Sequence, residues 1–124
     1  MIAGIYNIYC EQGATYLRIF NIETPDDVDP EVFNPLDITN YTARLHMRRL
    51  ITDEEPFLTL TTENSGIIIQ DEGDLGRITV YISAEETAGI TSDGVYDLEI
   101  ISPDEITVQR VLQGKVTLSP EVTR

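Results

Sequence analysis

The chain has 124 residues, of which 22 are acidic and 8 basic, giving a formal net charge of −14. That length fits one domain able to bury a core without metals or cross-links, and Cys10, the single cysteine, permits no internal disulfide and suits a reducing compartment. A field of this sign repels phosphate backbones and anionic membranes. No apolar run is long enough to span a bilayer and no basic-then-apolar leader opens the chain. The expected partners therefore include neither nucleic acid nor membrane.

In chain order, residues 5–10 and 14–22 come first. Both are apolar on both faces, through Ile5, Tyr6, Ile8 and Tyr9 and then Tyr16, Leu17, Ile19 and Phe20. The short turn Glu11-Gln12-Gly13 between them predicts a hairpin. A strand apolar on both sides must be covered twice, so Tyr6, Tyr9, Tyr16 and Phe20 are candidate contact residues. Residues 23–35, ETPDDVDPEVFNP, hold three prolines and five acidic residues. They read as a long exposed loop of the kind that carries function, with Phe33 as its candidate contact. Asn40 shapes the turn into the next strand. It also opens a glycosylation sequon, Asn40-Tyr41-Thr42, which means little without a secretory signal.

Residues 42–48 alternate Ala43, Leu45 and Met47 against Thr42, Arg44, His46 and Arg48, a half-buried strand with one wet face. Residues 57–61 and 66–70 flank the turn Glu63-Asn64-Ser65, and Asp71-Glu72-Gly73-Asp74 leads as a hairpin turn into a strand over 77–83. There Ile78, Val80 and Ile82 face inward. Ser83 and Glu86 have capping-box spacing and predict one helical turn. Residues 95–101 alternate again, with Tyr96, Leu98 and Ile100 inward. The last long strand spans 106–118, where Gly114 predicts a bulge or a close backbone approach. Residues 119–124 form a polar tail, and Arg124 is its candidate contact. Three clean alternations and about eight strands predict a single all-β, antiparallel β-sandwich over residues 1–124 with one short helical turn.

Catalytic signals are missing. His46 is the only histidine, sits on a wet strand face and lacks any motif partner for general-base work. One Cys and one His cannot close a zinc site. Phosphate-cradling glycine motifs and a nucleophile elbow are absent. Two acidic loops, Asp26/Asp27/Asp29 and Asp71/Glu72/Asp74, are the only calcium candidates, and neither has EF-hand spacing. No enzyme activity, cofactor or metal is expected. Seven of the eight basic residues are arginine, with Lys115 the one lysine, and arginine is favoured at protein interfaces.

The order of signals carries a resemblance. Gly13-Ala14-Thr15-Tyr16 opens a strand, and the run PLDITNYTAR over 35–44 leads into the next. ISAEET over 82–87, GVYDLE over 94–99 and the closing GKVTLSPEVTR over 114–124 follow. Over residues 13–124 this resembles small virion proteins of tailed phages, and it is similar to the N-terminal domain of baseplate upper proteins. The resemblance implies an immunoglobulin-like β-sandwich of about seven to eight strands. It implies an adaptor in a tail, baseplate or neck that is assembled in the host bacterial cytoplasm and released in the virion. Its partners would be other virion proteins and further copies of itself. Unlike the upper proteins, this chain stops after one domain, with no stalk and no receptor-binding module. The alternative is a carbohydrate- or receptor-binding module on the same fold, which needs an exposed aromatic platform built from Tyr6, Tyr9, Tyr16 and Tyr81.

Overall fold

A computed structural model describes residues 3–70 and 76–123, and these residues are all-β with one short helix. The strands are β1 (Gly4–Ile5), β2 (Ile8–Glu11), β3 (Tyr16–Asn21), β4 (Glu23–Pro25), β5 (Phe33–Pro35), β6 (Thr42–Arg48), β7 (Leu58–Thr61), β8 (Ile67–Ile69), β9 (Arg77–Ile82), β10 (Gly94–Ile101) and β11 (Val108–Ser119), with α1 (Ala84–Ala88) between β9 and β10. A six-stranded sheet runs β1-β11-β10-β6-β7, with β2 also on β11, and a three-stranded sheet runs β3-β9-β8. The inward residues of both sheets form one core. Leu45, Met47, Leu98 and Ile100 come from the larger sheet, and Ile67, Ile78, Val80 and Ile82 from the smaller, all essentially sealed from water.

The alternating segments fold as their patterns require. In β6 only Ala43, Leu45 and Met47 are fully buried, while Arg44, His46 and Arg48 point to the other face. β10 pairs antiparallel with β6 on one side and β11 on the other. The register along β11 slips between Leu98 and Glu99, leaving Val111 as the extra residue, so the bulge lies there and not at Gly114. Gly114 instead marks a close approach. A Cβ built on it would stand 2.3 Å from the Tyr6 carbonyl oxygen, because β1 and β2 run parallel against β11 and the link between them presses onto Gly114.

That parallel pairing corrects the predicted N-terminal hairpin. β2 joins the larger sheet through Val116–Ser119, whereas β3 pairs with β9 in the smaller one. The turn between them has hairpin chemistry, with Ala14 N–H donating to the Glu11 carbonyl at 3.0 Å and Gly13 at φ 83. It carries the chain from one sheet to the other. α1 locks it. Ser83 and Glu86 form the expected capping box. The buried Thr87 hydroxyl donates to the Ala14 carbonyl at 2.8 Å and accepts from Gly13 N–H at 3.1 Å.

Residues 23–35 are not an irregular loop. β4 and β5 pair as a separate two-stranded antiparallel ribbon, rooted where Leu36 N–H donates to the Ile22 carbonyl and Ile22 N–H to the Gly76 carbonyl. Among the described residues neither edge of this ribbon is paired to a further strand, which is where prolines such as Pro25 and Pro35 are tolerated. At its tip the Asp26 carboxylate accepts from Val28 N–H and Asp29 N–H and from Asn34 Nδ2. β8 and β9 pair antiparallel as their turn predicts; the turn residues 71–75 lie outside the described residues. Asn40, at φ 63, makes the turn into β6, closed by Tyr41 N–H to the Ile38 carbonyl.

Candidate docking surfaces

Of the aromatic contact candidates, Tyr16 lies in the core with 9% exposure. Tyr6 and Phe20 are half-buried and pack edge to face across the two sheets, with ring centroids 4.9 Å apart, and the Arg18 guanidinium lies 5.9 Å over the Tyr6 ring. These three close the interior of the chain, so covering their strands from outside does not depend on them. Tyr9 and Phe33 are exposed. Arg124 lies outside the described residues. The tyrosines do not share a platform. Tyr9 is on the outer face of the larger sheet, Tyr81 is on that of the smaller, and Tyr16 and Tyr96 are inside.

The outer face of the three-stranded sheet carries an apolar cluster. Register places Leu17 beside Tyr81, and Ile19 beside Thr79, which is flanked by Ile68 on β8. Leu17 and Ile68 are 58% and 54% exposed. On a strand with its other side in the core, these outward positions normally carry polar residues. β3 also bonds only to β9, which leaves its second edge open among the described residues, a template for pairing with another chain. The signal was present in the sequence, where Leu17, Ile19 and Ile68 fill both-face apolar runs. Their meaning depended on knowing which residues the core takes.

The outer face of the six-stranded sheet is the opposite in character. Its rows are Arg48, Val95 and Lys115; His46, Asp97 and Gln113; and Arg44, Glu99 and Arg110. A cleft of about 550 Å³ opens over the first two rows, rimmed by Ile5 and Ile51. Arg48, Arg110 and Lys115 line it against a single carboxylate, Asp97. Arg110 Nε is 3.4 Å from Asp97, and its Nη1 donates to Gln113. Arg48 donates through Nε to the Asp53 carbonyl at 3.0 Å and through Nη1 to His46 Nδ1 at 3.3 Å, and has no ion-pair partner among the described residues. The Lys115 ammonium has no ion-pair partner among the described residues. This concentration of cations in an acidic chain was hidden in the sequence, since the three lie on two strands and meet only through the β10 register.

Other candidate chemistry is engaged structurally. Cys10 is fully buried, and burial pushes its thiol above the ordinary value, the reverse of what a nucleophilic cysteine needs. The Asp26 carboxylate is held below the ordinary aspartate value by the Asp29 and Val28 amides and by Asn34. Its oxygens serve the ribbon's own turn. Asp71, Glu72 and Asp74 lie outside the described residues. Among the described residues no group of three His, Cys, Asp or Glu side chains is placed to hold a metal ion, and no helix is long and apolar enough to cross a membrane. Compared with known proteins, the chain matches no family model, and no curated protein is significantly similar to it.

Proposed function

We propose that this chain is a non-enzymatic structural or adaptor protein of a tailed-phage virion, joining subunits in a tail, baseplate or neck through an immunoglobulin-like β-sandwich. The observation that carries the docking role is the apolar cluster on the outer face of β3-β9-β8 with its open edge, a surface that an isolated soluble domain gains by covering. The sandwich reading is supported by the strand order. A five-position sheet with a parallel N-terminal edge strand stands over a three-stranded sheet, with the consecutive strands β2 and β3 split between them. The phage setting is supported by the motif resemblance over residues 13–124. The chain is assembled in the host cytoplasm in this reading, and its lone buried thiol suits that compartment.

Mass spectrometry of purified particles tests the setting: the chain is expected in fixed stoichiometry with the other virion proteins, and its absence overturns the proposal. The docking face is tested by Leu17→Glu combined with Ile68→Glu. Both positions are exposed, so the variant should stay folded, with a loss of about 1 kcal/mol and a Tm lowered by roughly 5 °C. It should fail to enter particles. Incorporation at the wild-type level would remove this face from the contact.

A further inference from the structure

We infer that the cationic cleft on the six-stranded sheet receives the acidic tip of the β4–β5 ribbon from a second copy of this chain. The inference rests on the adaptor reading for one premise, that copies meet in an assembly.

Four observations lead to it. The cleft carries excess positive charge: among the described residues lining it, Arg48, Arg110 and Lys115 stand with one carboxylate, Asp97, which Arg110 pairs, in a chain of net charge −14. Elsewhere Arg44 is bonded to Glu99 at 2.8 Å and Arg49 sits 3.7 Å from Asp53. The ribbon tip has the complementary charge. Asp26 and Asp29 close its turns, while the carboxylates of Asp27 and Glu31 bond to nothing within the chain among the described residues. Between them Val28 is 92% exposed, and the cleft rim offers Ile5 and Ile51, at 78% and 84%, as apolar partners. Because the tip is already cross-braced, docking it costs little ordering entropy.

Among the described residues no hydrogen bond or ion pair joins the tip to the cleft of its own molecule. The ribbon joins the body next to the start of β6, through residues 36–41. The cleft is centred on the other end of that strand, at His46 and Arg48. Seven extended residues separate the two by roughly 20 Å. The contact is therefore head to tail, using two different patches, and such contacts close into rings or continue as filaments. A nucleic acid is a poorer occupant, since the rest of the surface repels it.

Reciprocal charge reversal in the full chain tests this by sedimentation velocity at low salt. The cleft variant carries Arg110→Glu and Lys115→Glu; the tip variant carries Asp27→Lys and Glu31→Lys. Wild type should self-associate, and raising salt from about 0.05 M to about 0.5 M should dissociate it, because screening shortens the reach of exposed charges. Each variant alone should associate at least tenfold more weakly. The mixture of the two should associate again, since every remaining tip then finds a cleft of opposite sign. The inference is overturned if wild type stays monomeric at about 1 mM, if either variant associates like wild type, or if mixing restores nothing. Binding of a single-stranded oligonucleotide in the cleft without self-association overturns it equally. If the chain is present in particles but reversal has no effect, the cleft contact falls and the adaptor reading stands. If mixing rescues association but particles lack the chain, the reverse holds.

Discussion

Thr87 shows how much one buried hydroxyl can organise. It is fully buried, and its Oγ1 bonds the Ala14 carbonyl, the Ala84 carbonyl and Gly13 N–H, fixing the turn that carries the chain between sheets. Thr87→Val keeps the shape and removes these bonds, leaving the part-buried Gly13 N–H and Ala14 carbonyl without this partner. We expect a loss of about 2–3 kcal/mol in urea unfolding, and a loss under 0.5 kcal/mol would show that water replaces the hydroxyl. Cys10 should resist a thiol reagent in the native chain and react at once in denaturant; rapid native reaction would contradict its burial. Asp26 gives a pH prediction. Its folded value lies below the ordinary 3.8, so the bonds it accepts are fully present above that pH and are lost only as pH falls through the lower folded value. Amide NMR signals of Val28 and Asp29 should titrate with a midpoint below pH 3.8. A midpoint above that pH would contradict the turn.

Among the elements, the parallel edge formed by β1 and β2 is the most exacting. Tyr6 N–H donates to the Gln113 carbonyl, the Tyr96 hydroxyl donates to the Tyr6 carbonyl, and Asn7 Oδ1 accepts from Lys115 N–H. All of this surrounds a Gly114 with no room for a methyl group. Gly114→Ala should cost about 1–3 kcal/mol and raise hydrogen exchange in β1 and β2 first. Exchange that rises uniformly would mean the edge is not a separate unit. The same strands show where sequence reading stops. β6, β9 and β10 were legible because one face meets water and the other the core, which stamps a period of two on the residues. The helical turn was legible because Ser83 and Glu86 carry both capping bonds. The fate of Glu11-Gln12-Gly13 was not, because a hairpin and a sheet-crossing turn use the same local bonds. The choice is made by Val116–Ser119, more than a hundred residues away. Residues 23–35 misled for a related reason: their prolines bar a central strand and are tolerated in a free ribbon.

At the scale of the whole molecule, surface chemistry is divided by sheet. The smaller sheet shows water an apolar cluster, the larger a cationic cleft, and the acidic ribbon is a separate two-stranded unit. Sequence composition registered only the sum, −14, because outward positions on different strands become neighbours only through register. The aromatic candidates divided for the same reason: Tyr16 is drawn into the core and Tyr6 and Phe20 onto each other, while Tyr9 and Phe33 stay in solvent. A domain with three unlike surfaces is suited to sit between others, which is the sense of the adaptor proposal. Cryo-electron microscopy of the native particle measures this most directly. The proposal predicts density from a neighbouring subunit against Leu17, Ile19, Ile68 and Tyr81. A map in which the chain is present with that face open to solvent would contradict it.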